Sequence, residues 1–169
     1  MEGINVSKNC ILSADAVKRK LRRMAFQIAE ANADEESIII AGIAGNGTVL
    51  AQKIINELKQ IVDIPIDLIT IQLSKKNPVD AEIQDQIDLT GKIIIVVDDV
   101  ANTGRTLLYA LHPLLKFLPK KIQTLVLVER SHKLFAVQPD YVGLSIATTL
   151  QEHIVVETDG DEITGAWLE

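Results

Sequence analysis

The sequence predicts an α/β domain with a mainly parallel central sheet flanked by helices. Short aliphatic, β-branched runs such as Ile93-Ile94-Ile95-Val96-Val97 alternate with segments of helical periodicity. These runs are too continuously apolar to be half solvated, so both faces of each strand are expected to be covered, as in parallel sheets. Two of the strands end in glycine-bearing loops that lead directly into a helix, the βα arrangement that places ligands at carboxyl strand ends.

Ser13 is a helix cap, and Val17, Leu21, Met24 and Ile28 recur on one helical face behind it. Lys18, Arg19, Lys20, Arg22 and Arg23 crowd the remaining surface of that helix. A strand is expected over Ser37 to Ala41, then the loop Gly42 to Gly47, then a helix from about Thr48 to Ile61. Pro65 to Leu73 reads as the next strand. Ser74 to Leu89 is polar, holds Pro78 and has weak periodicity, so it reads as a long functional loop or flap. Ile93 to Val97 is a strand, Arg105 to Phe117 a helix broken near Pro119, and Ile122 to Val128 a strand. Tyr141 to Ile146 and Ile154 to Glu157 are two further short strands, followed by an acidic tail from Thr158 to Glu169 that carries Trp167.

A chain of 169 residues suggests one domain, residues 1–169. Aromatics are scarce at 4%, so the core must be aliphatic. The single cysteine, Cys10, excludes a disulfide framework within one chain and points to a cytoplasmic setting. No run approaches the length of a membrane span, and Met1 to Ser13 lacks the regions of a signal peptide. The net charge of −6 argues against a strongly nucleic-acid-bound protein, though it leaves room for a local basic patch.

The chemistry concentrates in Ile93 to Leu107. A buried strand delivers Asp98 and Asp99 to its carboxyl end, and Ala101-Asn102-Thr103-Gly104-Arg105-Thr106 then turns into a helix. Gly104 allows close backbone approach, Thr103 and Thr106 offer hydroxyls, and exposed N–H groups suit a phosphate. Two acids beside an anion nest are compatible if the acids serve neutral groups. Asp98 and Asp99 would accept from the 2′ and 3′ hydroxyls of a ribose whose 5′-phosphate sits in the nest. A phospho-acceptor domain also uses strand-end acids, but it leaves Thr103-Gly104-Arg105-Thr106 unexplained.

The run Val97-Asp98-Asp99-Val100-Ala101-Asn102-Thr103-Gly104-Arg105-Thr106 resembles the signature of the type I phosphoribosyltransferases. Glu129-Arg130-Ser131-His132 and Asp140-Tyr141-Val142-Gly143 resemble the base-binding hood of the pyrimidine operon regulator and uracil phosphoribosyltransferase group, and the similarity covers about residues 11–158. The resemblance implies that fold, with a small hood over the carboxyl strand ends formed mainly by residues 129–158. It implies transfer of a phosphoribosyl group from phosphoribosyl pyrophosphate (PRPP) to a nucleobase, with uracil as the base. Asp98 and Asp99 would be the catalytic carboxylates, and residues 101–106 the 5′-phosphate site. Tyr141 would stack on the base, with Val142 and Arg130 beside it. A substrate-bound Mg²⁺, contacted indirectly by Asp99, and a homodimer or larger homo-oligomer are implied as well.

As the alternative, the resemblance admits a nucleotide-sensing regulator of pyrimidine genes that binds RNA, with weak or no catalysis and with the basic face of the first helix as its contact surface. A transferase for xanthine or an unusual base is a third reading. Where purine-salvage relatives place an Asp, this chain has Asn102, which cannot act as an acid or base and steers away from purines.

The loop Ala44-Gly45-Asn46-Gly47 falls where such proteins bind pyrophosphate, and its backbone N–H groups are suited to an anion. The regulator group normally carries a Thr-Arg pair where this chain has Gly45-Asn46. The glycine spacing is not that of a dinucleotide fingerprint. The flap lacks the Tyr-Arg-Asp pattern of the regulator group but offers Lys75 and Lys76 to a pyrophosphate, and Ala147-Thr148-Thr149 departs from the usual Pro-Thr-Ser.

Overall fold

The structure, a computed structural model, describes residues 8–74 and 76–169. The strands are β1 (Asn9–Ser13), β2 (Ile38–Ile43), β3 (Ile66–Gln72), β4 (Glu82–Ile83), β5 (Ile93–Ala101), β6 (Lys121–Arg130), β7 (Tyr141–Ile146), β8 (Ile154–Asp159) and β9 (Glu162–Leu168). The helices are α1 (Ala14–Ala31), α2 (Asn46–Leu58) and α3 (Arg105–Ala110), with 3₁₀ turns at Pro78–Asp80 and His112–Lys116.

Six strands form the main sheet in the order β4-β3-β2-β5-β6-β7. All of its pairings are parallel except that of β4, which lies antiparallel along the edge of β3. Successive residues of the central strands feed opposite cores. Ile38 and Ile40 of β2, with Ile95 and Val97 of β5, pack beneath α1 and α2. Ile39, Ala41 and Ile43, with Ile94 and Val96, pack beneath α3. This alternation is why the strands read as unbroken apolar runs. Ser13 caps α1 by accepting from the Ala16 N–H, and Val17, Leu21, Met24 and Ile28 are all buried.

Four expectations change. β5 extends to Ala101, because its pairing with β6 continues as far as Ala101 opposite Glu129. Asp98 and Asp99 therefore lie within the strand. The third helix is six residues of α-helix, and Pro113 follows in a 3₁₀ turn because proline cannot continue the helical ladder. The segment from Ser74 to Leu89 is tied to the sheet: the Thr70 N–H donates to Asp85 Oδ2, the Gln84 N–H donates to the Thr70 carbonyl, and Leu89 is fully buried.

The fourth change lies at the two ends of the described chain, which pair in a second, antiparallel sheet ordered β1-β9-β8. Leu12, Ile154, Val156, Ile163 and Ala166 of that sheet share one core with α1 and α2. The expected acidic tail is thus mostly strand. Among the described residues no helix is long and apolar enough to cross a membrane.

Candidate functional site

The parallel register brings the carboxyl ends of β2, β5 and β6 side by side, and two loops project from them. The first loop, Ala44-Gly45, joins β2 to α2. The Ala44 N–H is committed to the Ile71 carbonyl at 2.9 Å, so it is not a ligand donor. Of the four residues expected to bind an anion, that leaves Gly45, Asn46 and Gly47 at the start of α2, where first-turn N–H groups have no helical acceptor. Gly47 is required by packing: a Cβ there would stand 2.8 Å from the Val97 carbonyl oxygen and 3.2 Å from Asp98 Oδ1. That contact presses α2 directly onto the acidic end of β5.

Asp98 is 8% exposed, and its Oδ1 accepts from the Asp99 N–H at 2.9 Å. Burial, and then the adjacent Asp99 carboxylate, hold the Asp98 carboxyl well above the usual carboxylate range. Asp99 Oδ1 accepts from the Val100 N–H, and its Oδ2 accepts from the Asn46 side-chain amide at 3.0 Å. The two acids thus occupy different environments, one sunk in the core and one held by a loop.

The second loop runs from Ala101 through Thr106. With Val100 and Leu107, all of it but Arg105 lines a cavity of about 100 Å³. Gly104 is in the left-handed conformation at φ 84°, and a Cβ there would meet Val137 Cγ1 at 2.8 Å. Thr103 Oγ1 accepts from the Arg105 N–H, and the Thr103 carbonyl accepts from both the Leu134 and Phe135 N–H groups. Arg105 and Thr106 are exposed, with the Arg105 guanidinium over the Tyr109 ring. The Asn102 amide reaches the Ile154 carbonyl of β8 at 3.4 Å, while its Oδ1 is buried without a partner.

The residues expected to surround a base are placed less uniformly. Arg130 ends β6 at the strand ends, donating from Nη2 to the Glu152 carbonyl, with its Nε buried and unpartnered. Tyr141 is 5% exposed in the core beneath α1, and its hydroxyl donates to Gln123 Oε1 at 2.8 Å. That placement does not fit a stacking role, because the ring is packed and its polar end points to the start of β6. The Val142 carbonyl accepts from Arg23, as does that of Gly143, so the backbone edge expected to read a base is occupied. His132 and Lys76 are exposed, and Lys75 lies outside the described residues.

One structural pair went unread in the sequence. Lys133 Nζ meets Glu129 Oε2 at 2.7 Å, with both side chains 6% exposed, and also donates to the Arg130 carbonyl. This ion pair fastens Lys133 to the end of β6, while the Leu134 and Phe135 N–H groups tie the same segment to the second loop. The four-residue spacing of opposite charges was its visible signal, but such spacing outside a helix carries little weight. A larger cavity of about 660 Å³ lies between α3 and residues 135–138, over the start of β6. Its walls are mainly apolar.

Among the described residues no three His, Cys, Asp or Glu side chains converge as a metal cage. Both Asp99 oxygens already accept hydrogen bonds within the protein. This donor set suits an ion carried on substrate oxygens and water better than one held by the protein.

The phosphoribosyl transferase domain model matches residues 8–161. The chain is 34% identical to the bifunctional protein PyrR of Fusobacterium nucleatum, with 94% of this chain and 97% of that protein covered. It is 36% identical to the bifunctional protein PyrR of Haemophilus ducreyi, with 88% and 89% covered. Among solved structures, a hypoxanthine-guanine phosphoribosyltransferase from Bacillus anthracis superposes with a TM-score of 0.71 at 21% identity, covering 87% of this chain and 85% of that one. The hypoxanthine phosphoribosyltransferase of Trypanosoma cruzi, in a ternary substrate complex, gives 0.77 at 14% identity, covering 92% and 93%. At those identities the structural likeness speaks for the fold alone. Taken with the run Val97 to Thr106, the match along nearly the whole chain establishes that this protein belongs to the type I phosphoribosyltransferases, a family of pentosyl-transferring enzymes.

Proposed function

We propose that this site transfers the phosphoribosyl group of PRPP to a pyrimidine base, uracil, and releases pyrophosphate. The observation that carries the reading is the placement of Asp98 and Asp99 directly before a loop that lines a cavity of about 100 Å³. The ribose spans the two, with its hydroxyls on the carboxylates and its 5′-phosphate in the loop formed by residues 101–106. A nitrogen of the base then bonds to the anomeric carbon as the bond to the pyrophosphate oxygen breaks, and the nitrogen loses its proton. The first-turn N–H groups of α2 would receive the departing pyrophosphate. A Mg²⁺ ion on the substrate oxygens would offset the charge of that leaving group.

The base assignment rests on Asn102, which offers an amide where an acid would be needed to manage a purine proton. The test is a PRPP-dependent activity screen with uracil, hypoxanthine, guanine, xanthine and orotate. Turnover with uracil alone is expected, and turnover confined to a purine would overturn the assignment.

The relatives are named bifunctional, which supports a second activity, and the exposed cations of α1 favour reading it as that of a nucleotide-sensing regulator that binds RNA. Lys18 and Arg19 are exposed on α1 and suited to phosphate contacts. Arg23 is committed to β7 carbonyls, and Arg22 stacks over Phe26 and approaches Glu57. RNA affinity that falls steeply with salt and is lost in Lys18→Gln/Arg19→Gln would support this reading. Absence of binding at low salt would exclude it.

A further inference from the structure

The Asn46 side chain lies where three parts of the molecule meet. Its Nδ2 donates to Asp99 Oδ2 and to the Val156 carbonyl, each at 3.0 Å, and its Oδ1 accepts from the Thr158 hydroxyl at 3.2 Å. Asn46 opens α2, Asp99 stands on β5, and Val156 and Thr158 belong to β8. The arrangement needs two donors on one atom and an acceptor on its neighbour, which a primary amide supplies and a carboxylate or hydroxyl does not. Asp99 Oδ1 is already held by the Val100 N–H, so the Asn46 amide removes the remaining freedom of that carboxylate.

We propose that Asn46 is a positioning residue for the ribose site: it aims the Asp99 carboxylate and fastens it to β8, so that the anion loop, the acid pair and the C-terminal hairpin act as one body. The role rests on the reading of Asp98 and Asp99 as ribose ligands. Asn46 works through Asp99, whereas the loop around it was expected to contribute only backbone N–H groups. Asn102 makes a parallel contact from the second loop to the Ile154 carbonyl, so both loops grip the same strand. Of the charged groups around this point, Asp98 is the immediate neighbour on β5. Glu129 on β6 is paired with Lys133, and Glu157 on β8 with Lys8.

The test compares full-length Asn46→Asp, Asn46→Ala and Thr158→Val with the parent protein. Thermal unfolding is followed between pH 5 and pH 8, and PRPP affinity is measured by calorimetry. Asn46→Asp sets a second carboxylate against Asp99. Its unfolding temperature should fall well below the parent's at pH 8 and recover towards pH 5, where the two groups can share a proton. Asn46→Ala should show a deficit that does not vary with pH and should bind PRPP about tenfold more weakly. Thr158→Val keeps the Asp99 contact and should bind within about twofold of the parent.

A double-mutant cycle of Asn46→Ala with Asp99→Asn covers the case in which Asn46→Asp does not fold. Losses of affinity that fail to add are expected if Asn46 acts through Asp99. Additive losses would overturn the role, as would an Asn46→Asp deficit that is flat with pH. The unfolding profiles need no ligand. A parent protein that binds no PRPP would therefore count against the transferase reading while the Asn46–Asp99 contact is still judged.

Discussion

Asp98 shows how a buried carboxylate can weaken the protein that carries it. Its carboxyl titrates well above the usual range because burial disfavours the charge and Asp99 stands beside it. The folded state therefore holds the proton more tightly than the unfolded chain does. The destabilisation is fully present above the raised folded-state pKa, shrinks as pH falls through it, and is gone below the unfolded value. Asp98→Asn is expected to raise the unfolding temperature at pH 8, to change it little near pH 4, and to weaken PRPP binding at least tenfold. Melting curves across that range, with calorimetric titration at pH 8, check all three. Gly104 presents the opposite case, in which backbone geometry limits the choice of residue. Gly104→Ala forces a Cβ into a left-handed position against Val137 and should cost about 1–3 kcal/mol, read from urea denaturation.

The elements explain what the residues cannot do alone. The second loop has no long helix behind it, since α3 is only six residues. Its support comes from residues 131–137, whose Leu134 and Phe135 N–H groups hold the Thr103 carbonyl and whose Lys133 is buried on Glu129. Lys133→Met leaves Glu129 buried without its cation and should cost about 3–5 kcal/mol of stability, measured by denaturant unfolding. Glu129→Leu combined with Lys133→Met should recover most of that loss, because no unpaired charge remains. Phosphate binding should stay weakened in the single variant even below its melting range, since the loop loses its backing.

At the scale of the whole molecule, the core beneath α1 and α2 joins the two sheets. Leu12 and Ala166 lie in the same cluster as Ile40 and Leu50, so the small sheet should not unfold separately. Trp167 on β9 is the one tryptophan and reports on that sheet alone. Its fluorescence and the far-ultraviolet circular dichroism are expected to change in a single coincident transition. Separate midpoints would show that the small sheet is an independent unit.

This distribution of contacts also explains what could be read from the chain. Ile38 to Ala41 and Ile93 to Val97 were legible because burial on both faces leaves a local imprint, whereas Gly42 and Ile43, read as loop, belong to β2. The family was legible in Asp98 to Thr106 because a signature built from consecutive residues keeps its pattern in sequence. β1 and β9 are short and mix polar with apolar side chains, and each is defined by the other, so neither has a periodicity of its own. The Asn46 contacts were equally hidden, since partners at positions 99, 156 and 158 leave no mark on residue 46. Tyr141 misled for a related reason: its place in a familiar motif does not say which face of β7 its ring takes.

The pairing of β1 with β9 also bears on the order in which the protein acquires function. Asn9 lies opposite Leu168, so closing the small sheet must wait until nearly every described residue has been made. Pairings between such distant positions are slow to form, because the intervening chain must be ordered first. A chain emerging from the ribosome can assemble the parallel sheet with both acids in place and still lack the strand that Asn46 and Asn102 grip. Ligand binding should therefore appear late in refolding, in step with the recovery of Trp167 emission, leaving incomplete chains unable to sequester PRPP.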